Sequence, residues 1–451
     1  MADQDRPRTI EAIDPQALDE VVRFTSELIA IDTTNRGGGD CSERPAAEYV
    51  AEMLSDVDID PTLLERSPGR TNVVARIEGT EPSAPALLVH GHLDVVPAEP
   101  ADWTVHPFSG EVRDGVVWGR GAIDMKNMDA MVLAAVRAWA RSGVRPRRDI
   151  VLAFTADEED SAEAGSGFLA DQHAELFEGC TEGISESGAF TFHAGAGMRL
   201  YPIAAGERGT AWLKLTARGR AGHGSKVNRA NAVSRLAAAV ARIGEHQWPV
   251  RLTPTVKAAL TELAALRGVP ADLDAADLDI DALLAELGPA AALVEPTVRN
   301  SANPTVLEAG YKINVIPGSA TAYVDGRMLP GAEEEFHTTL DRLTGPEVDW
   351  EFHHREVPLQ APVGPGAPTY QAMRAAVERF DPGGHVVPYC MSGGTDAKQF
   401  SRLGILGYGF SPLRLPEGFD YQALYHGVDE RVPVDALHFG VRVLDHFLQR
   451  A

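Results

Sequence analysis

Apolar residues follow two patterns over the first 200 residues of the chain. Helical spacing, with a period of about 3.6 residues, occurs in ALDEVVRFTSELIA and in MDAMVLAAVRAWARSG, which places Gly143 near a helix C-terminus. Apolar runs predict buried strands at NVVARI, ALLVHGHLDVV and DIVLAFTADEE, and the last two runs end in polar residues. Alternating helices and buried strands predict an α/β fold, in which ligands bind at the carboxyl ends of the strands.

The pattern changes near Glu207. TAWLKLTARGR predicts an alternating strand, a helix is expected at about 228–243, and TAYVDGRML predicts another strand. The stretch 253–294 is rich in Ala, Leu and Asp and predicts additional helices. Helix and strand patterns alternate again after Gly331 and end in the helix VDALHFGVRVLDHFLQR.

These changes predict two domains, and a length of 451 residues is too long for one ordinary core. We assign residues 1–204 and 330–451 to a larger α/β domain with a mixed sheet. Residues 205–329 are assigned to a smaller α+β domain, a lid or dimerisation domain, which is inserted into the first and contains the stretch 253–294.

Composition narrows the possible partners. A formal net charge of −24 disfavours nucleic acid and anionic membranes, because both would repel the protein. No run approaches the roughly 18 apolar residues that a membrane span needs, and the start MADQDRPRTIEAIDPQ lacks the apolar core of a secretory signal. Cys41, Cys180 and Cys390 have no CxxC spacing, which favours a reducing compartment over a disulfide framework. We therefore expect a cytoplasmic protein.

Five residues of metal-ligand type lie far apart in the chain, each inside a short segment that suits a site: His92 in HGHLD, Asp124 in GRGAIDMK, Glu159 in TADEE, Glu186 in ISESG and His426 in YHGVDER. Two His and three carboxylates are the ligands that two zinc ions with one shared carboxylate need. Each residue alone has an ordinary structural explanation. Agreement of all five segments favours a metal-dependent hydrolase.

Residues next to His92 and Asp124 strengthen the interpretation of these two segments as parts of a metal site. His92 and Asp94 lie two apart, so on a strand their side chains share a face and Asp94 can orient the His ring. The alternative is a hydrogen-bonded strand end without metal. Gly119 and Gly121 allow a sharp turn into a crowded site before Asp124, whereas the alternative is an Asp at a helix N-terminus.

Three consecutive acids, Asp157, Glu158 and Glu159, follow an apolar strand. Their mutual repulsion requires relief by a cation or a proton. Since adjacent strand residues point to opposite sides, one Glu could bind metal while the other faces the attacking water. A solvated acidic loop is the alternative.

In this order along the chain, the segments resemble the co-catalytic zinc family that includes glutamate carboxypeptidase, acetylornithine deacetylase, succinyl-diaminopimelate desuccinylase and aminoacylase. The resemblance extends from about Leu18 to the C-terminus. Trp103, followed by HPFSG and DGVVWGRGAIDMK, is most similar to the carboxypeptidase and N-acyl-amino-acid hydrolase branch. The stretch 253–294 has no assigned counterpart in the family.

The resemblance implies a role for each segment. Two Zn²⁺ ions, or Co²⁺ or Mn²⁺ in their place, would share five ligands: a bridging Asp124, His92 and Glu186 at one ion, and Glu159 and His426 at the other. Asp94 would orient His92, and Glu158 would be the general base.

Residues of the insertion are also implied. GRAGHGSKVNRANAV resembles the segment whose His, here His223, enters the active site of a partner subunit and donates a hydrogen bond to the oxyanion, so a homodimer is expected. YKINVIPGSATAYVDGRMLPG supplies Asn314 and Arg327, and Arg is suited to bind a substrate carboxylate. Without the family, a loop His and a solvated surface Arg are the ordinary explanations.

SGGTDAKQF resembles the family loop that lines the substrate pocket, here with Gly393, Gly394 and Thr395. Backbone N–H groups there could hold a carboxylate, and a helix N-cap at Thr395 is the alternative.

The expected reaction is hydrolysis of an amide whose leaving amino acid carries a free carboxylate, in a peptide or an N-acyl amino acid. The sequence does not separate a carboxypeptidase or deacylase from a dipeptidase of the same family. Two further alternatives are a zinc aminopeptidase, which would not need Arg327, and a non-catalytic binding protein with the same fold.

Overall fold

The computed structural model describes residues 13–38 and 41–451. The helices in these ranges are α1 Pro15–Ala30, α2 Arg44–Ser55, α3 Lys126–Ser142, α4 Ser166–Gln172, α5 Ala232–Gly244, α6 Pro254–Arg267, α7 Ile280–Leu287, α8 Glu333–Thr344, α9 Pro368–Phe380, α10 Ala397–Phe400, α11 Tyr421–Leu424 and α12 Val434–Leu448. The strands are β1 Thr62–Glu65, β2 Thr71–Ile77, β3 Ala86–His92, β4 Val112–Arg113, β5 Val116–Trp118, β6 Ile150–Thr155, β7 Cys180–Ser185, β8 Phe192–His193, β9 Arg199–Glu207, β10 Gly209–Arg218, β11 Gly222–His223, β12 Ser301–Ala309, β13 Val315–Ile316, β14 Ser319–Met328, β15 Val348–Arg355, β16 Leu359–Gln360, β17 Gly384–Met391, β18 Leu406–Gly409 and β19 Arg431–Pro433.

One compact unit contains the chain up to Ala205 together with Ala361–Pro388 and Thr395–Ala451. Its sheet has the strand order β1-β2-β6-β3-β7-β18-β9 and is mixed. β3 is parallel to β6 and β7, whereas β2 is antiparallel to β6. The parallel strands β3, β6 and β7 therefore end at the same edge of the sheet, where open α/β sheets place their ligands.

Helices cover both faces of this sheet. Leu87 and Val89 of β3 belong to the core that contains α1, α3 and α12, whereas Leu88 belongs to the core that contains α4 and α10. None of the three side chains is more than 3% exposed, so each stabilises the fold by about 1.5–3 kcal/mol. Gly143 ends α3 in the left-handed conformation, as its position in the helical pattern predicts.

The second unit comprises Gly206–Gln360 and Tyr389–Gly394. Its antiparallel sheet has the order β12-β14-β10-β15. Leu213 and Val324 share a core with Leu236 of α5 and Phe336 of α8. The predicted helices within 253–294 are α6 and α7.

This unit extends beyond the predicted boundary at residue 329. β15 pairs with β10 from Val348 to Arg355, and α8 contributes Phe336 to the same core. Both elements were assigned from the sequence to the larger domain, because helix and strand alternate after Gly331 as they do there. Strand pairing decides the assignment, and the local pattern does not contain that information.

Within 13–38 and 41–451, no helix combines the length and the apolar character that a membrane crossing needs. All three cysteines are free thiols, as expected without a disulfide framework, and Cys180 and Cys390 are buried. Most of the N-terminal segment MADQDRPRTIEAIDPQ, which is expected to lack a secretory signal, lies outside the described residues.

Candidate metal centre

Two groups of potential metal ligands meet at one buried aspartate. His92, Asp124 and Glu186 form the first group, and Asp124, Glu159 and His426 form the second, with the ligand atoms of each group within 4.8 Å of one another. Asp124 Oδ1 lies 3.1 Å from His92 Nε2, and Asp124 Oδ2 lies 2.8 Å from His426 Nε2. The two oxygens of one carboxylate thus face two different imidazoles, as a bridging ligand requires. All five predicted ligands are brought together.

The ends of parallel strands place three of these side chains. His92 is the last residue of β3, Glu186 directly follows β7, and Glu159 lies in the turn after β6. Asp124 comes from the loop before α3, whose N-cap is Met125, so Asp124 is not the cap of that helix. His426 lies after α11 with a φ of 57°, a backbone conformation that few non-glycine residues adopt.

Asp94 organises the turn that carries the two glutamates. Its carboxylate accepts hydrogen bonds from the backbone N–H groups of Glu158 and Glu159, each at 3.1 Å, and from Asn35 Nδ2 at 2.9 Å. His92 Nδ1 lies 2.9 Å from the backbone oxygen of Asp94 and 3.6 Å from its carboxylate. The predicted contact between His92 and the Asp94 carboxylate is therefore longer than the contact between His92 and the Asp94 backbone oxygen. The reason is that Asp94 lies beyond the end of β3, so the two side chains do not share a strand face.

The three consecutive acids also lie beyond their strand, so strand alternation does not separate them. Asp157 has a φ of 68° and pairs with Arg70, whose Nη2 lies 2.8 Å from Asp157 Oδ1. Arg70 also pairs with buried Glu43 at 2.8 Å. An arginine thus neutralises Asp157, while Glu158 and Glu159 lie at the candidate metal centre.

Glu158 lies beside the first ligand group without belonging to it. Its Oε2 is 4.0 Å from His92 Nε2, and its side chain is 16% exposed, against 5% or less for Glu159 and Glu186. Burial and, next, the charge of Glu186 raise the pKa of Glu158 well above the usual carboxyl range. A carboxyl group near the ligands, partly open to solvent and with a raised pKa, suits a general base.

The chemistry of the centre fits divalent cations. Burial raises the pKa of Glu186 well above its usual value, and the charge of Asp124 raises it further. Hydrogen bonds to Asp124 and Glu159 raise the pKa of His426 to about 10. Glu159 Oε1 is buried and has no hydrogen-bond partner among the described residues. Zn²⁺ binds imidazole and carboxylate ligands, and a cation would relieve both the repulsion and the unpaired oxygen.

A buried ion pair that the sequence motifs did not single out connects two of the ligand segments. The Glu430 carboxylate accepts three backbone N–H groups of the Asp124 loop: Gly121 at 3.1 Å, Ile123 at 2.8 Å and Asp124 itself at 3.1 Å. Arg120 Nη1 lies 2.6 Å from the same carboxylate, and Arg120 Nη2 donates to the carbonyl oxygen of Gly427 at 3.0 Å, next to His426. The only sequence signal was an acid in YHGVDER, close to a candidate ligand.

The predicted oxyanion donor His223 and the predicted substrate-binding residues Asn314 and Arg327 lie in the second unit. His223 is on β11, and β11 pairs with β13, which begins directly after Asn314. His223 and Asn314 are both exposed. His223 Nδ1 lies 2.9 Å from Ser225 Oγ. Arg327 on β14 contacts the Asp325 carboxylate at 2.8 and 3.2 Å. The guanidinium is therefore paired, unlike that of an ordinary solvated Arg.

The predicted pocket loop is divided between the units, with 393–394 in the second and Thr395 in the first. Thr395 Oγ1 accepts the N–H of Ala397 at 3.2 Å, at the start of α10. Asp396 is buried and accepts a hydrogen bond from Thr155 Oγ1 at 2.6 Å. The N-cap of α10 is Asp396, so the alternative of a helix N-cap at Thr395 is not confirmed. Substrate binding by the loop stays a prediction.

Comparison with known proteins places the chain in a family. It matches the model described as Peptidase family M20/M25/M40 over residues 88–450. It is 30% identical to the human N-fatty-acyl-amino acid synthase/hydrolase PM20D1 over 390 residues, which cover 83% of this chain and 76% of the relative. It is 25% identical to aminoacylase-1 of Mus musculus, covering 89% and 90% of the two chains. An M20 family metallo-carboxypeptidase from Sulfolobus solfataricus has the same fold, with a TM-score of 0.67, 18% identity and coverage of 96% and 99%.

The fold and the site define a metal-dependent hydrolase of peptide or amide bonds. The chain belongs to Peptidase family M20/M25/M40. The predicted resemblance to the carboxypeptidase and N-acyl-amino-acid hydrolase branch is confirmed, as is the mixed-sheet α/β fold with a second α+β unit.

Proposed function

We propose that this chain releases an amino acid from an N-acyl amino acid, using two divalent ions of which Zn²⁺ is the first candidate and Co²⁺ or Mn²⁺ the alternatives. The observation that carries the proposal is the bridging geometry of Asp124, whose two oxygens face His92 and His426. Glu158 beside this centre supplies a base. A cytoplasmic location is part of the proposal and follows from the composition alone.

Each residue has a defined part in the reaction. When bound, two zinc ions lower the pKa of a water molecule and polarise the scissile carbonyl. Glu158 accepts the proton of that water at its carboxylate and delivers it to the leaving nitrogen. Asp94 holds the turn that carries Glu158, because its carboxylate accepts the backbone N–H of Glu158. His223 donates a hydrogen bond to the oxyanion, and Arg327 with Asn314 binds the carboxylate of the leaving amino acid.

The substrate class is tested by release of amino acids from matched pairs of N-acyl amino acids and dipeptides. Similarity to the human N-fatty-acyl-amino acid synthase/hydrolase PM20D1 and to aminoacylase-1 of Mus musculus supports the acyl series. Release from dipeptides alone would identify a dipeptidase, and release from amino-acid amides without a carboxylate would identify an aminopeptidase. Binding without turnover in every series would identify a non-catalytic protein.

Removal of metal is expected to abolish hydrolysis and to lower Tm, and Zn²⁺ should restore both. A ligand that binds only the native state stabilises it by about 2.7 kcal/mol when its concentration is 100 times Kd. Differential scanning calorimetry with and without Zn²⁺ measures this effect. Asp124→Asn, which removes the shared ligand, should show little rise in Tm. A chelated protein with unchanged Tm and activity would contradict the metal requirement.

A homodimer through the second unit is supported by exposed apolar surface. Leu307 of β12 is 55% exposed and Tyr311, in the turn after this strand, is 84% exposed. β12 is also one of the two edge strands of its sheet. Exposed apolar residues on an edge strand indicate a surface that another chain covers. The second unit also carries His223, the residue proposed to act in the partner's active site.

Co-expression of two inactive variants tests this arrangement. His223→Ala and Glu158→Gln subunits should each be inactive alone, whereas their heterodimer has one intact site if His223 acts in trans. Random pairing in equal amounts should restore about a quarter of wild-type activity. If His223 acts within its own subunit, the mixture stays inactive. Sedimentation analysis of the same mixture reports whether dimers form.

A further inference from the structure

A row of aromatic rings leads away from the candidate metal centre within the first unit. The Tyr425 ring stacks on the His426 imidazole, with centroids 4.7 Å apart and an interplanar angle of 18°. The ring centroids of Tyr421 and Tyr425 are 6.3 Å apart. Phe190 stacks on Tyr421, with ring centroids 4.2 Å apart and an interplanar angle of 11°. We call Phe190, Tyr421 and Tyr425 the aromatic row. One end of the row touches a candidate metal ligand.

The other end of the row forms a wall of a groove. This groove has a volume of about 360 Å³, and its aromatic lining consists of Phe190, Phe192, Phe419 and Tyr421. The volume lies within the range of about 300–1,000 Å³ that is typical of small-molecule sites. Aromatic side chains offer large apolar surfaces to a hydrocarbon.

Both walls of the groove belong to segments that also carry candidate ligands. Phe190 and Phe192 follow Glu186 in the chain, and Phe419 and Tyr421 precede His426. Tyr425 Oη additionally lies 3.5 Å from Glu186 Oε2. The groove and the metal centre are therefore held by the same two stretches of chain, which fixes one relative to the other.

The charge of the lining indicates which part of a substrate fits. The lining contains no Lys or Arg, and His193 Nε2 lies 3.0 Å from the carbonyl oxygen of Leu415. The acidic residue in the lining is Asp420, which is exposed. A negative charge repels the carboxylate of the leaving amino acid. The uncharged, apolar side of the amide is the part that this groove can bind.

We propose that this groove is the acyl-chain subsite and that it selects N-acyl amino acids with long hydrocarbon chains. This inference rests on the proposed function. An acetyl group held at the metal centre is too short to pass Tyr425 and reach Tyr421, whereas a long chain lies along the aromatic row. Each methylene that becomes buried should raise kcat/KM up to about fourfold.

The test compares N-acetyl-, N-octanoyl- and N-dodecanoyl-leucine with the zinc-loaded protein. We expect kcat/KM to rise at least about 100-fold from acetyl to dodecanoyl. Tyr421→Ser removes one wall, and Gln422→Trp fills the groove from an exposed position without removing a core contact. Both should lower the dodecanoyl-to-acetyl ratio about tenfold or more. Leu63→Ser, an exposed apolar residue of β1 at the other edge of the sheet, should leave the ratio unchanged.

Calorimetric binding of dodecanoate to the metal-free protein gives a readout that is independent of turnover. Wild type should bind dodecanoate, and both groove variants should bind it at least about tenfold more weakly. Hydrolysis with equal kcat/KM for all three chain lengths overturns the acyl subsite and leaves the proposed function standing. Dodecanoate binding that responds to both variants, without hydrolysis of any substrate, supports the groove and overturns the proposed function. If neither variant changes the dodecanoyl-to-acetyl ratio of kcat/KM or the affinity for dodecanoate, the assignment of these residues to the acyl subsite is overturned.

Discussion

Glu158→Gln is expected to retain the bound metal and to lose about 10²–10⁴-fold or more in kcat. Glutamine preserves the size of the side chain and removes its ability to accept a proton from water. Glu158 belongs to neither ligand group, so the five ligands stay in place. Its backbone N–H, which donates to Asp94, is also unaffected by the change. The loss should therefore appear in the chemical step and not in metal binding.

Metal content by elemental analysis and steady-state kinetics on the same preparation measure the two effects. Glu163→Gln is the matched control, since Glu163 is an exposed acid in the same loop, and it should behave as wild type. A Glu158→Gln protein with full metal content and near-normal turnover would remove Glu158 from the role of base. Loss of metal together with turnover would make it a structural residue of the centre.

Strand ends account for the part of the site that the sequence could predict. An apolar run that stops at a polar residue marks both a buried strand and its carboxyl end, so His92 and the acids after β6 were visible locally. Parallel pairing then brings β3, β6 and β7 together. Asp124 and His426 lie in loops, where hydrophobic periodicity gives no signal. They were predicted as ligands from their short sequence segments and from the family resemblance.

Contacts made by the backbone account for much of the rest. The Asp94 side chain was expected to hold His92, yet its carboxylate holds the turn of Glu158 and Glu159, and its backbone oxygen faces the His92 ring. Hydrophobic periodicity reports which face of an element is buried, but it carries no information on which main-chain group a carboxylate will accept. The Arg120–Glu430 pair was not predicted for the same reason, because most partners of Glu430 are backbone N–H groups.

Glu430→Gln is expected to lower both the stability of the protein and its affinity for metal. Glu430 is fully buried and pairs with Arg120 at 2.6 Å, so the substitution leaves the arginine charge without a carboxylate to neutralise it. Breaking a buried ion pair in this way costs about 3–5 kcal/mol. In glutamine an NH₂ group also replaces one of the two carboxylate oxygens, and an NH₂ group cannot accept a hydrogen bond from a backbone N–H. At least one backbone N–H of the Asp124 loop therefore loses its acceptor.

The loss of metal affinity should be about 10–100-fold, the usual effect of removing a group that orients ligands. Glu430 contacts the backbone of Asp124, and Arg120 contacts the carbonyl oxygen of Gly427 beside His426, so both groups of candidate ligands should be affected. Urea unfolding of the metal-free protein and Zn²⁺ titration measure the two effects separately. Glu78→Gln, which alters an exposed pair with Arg145, should change neither. Lower stability with unchanged zinc affinity would limit the ion pair to a role in folding.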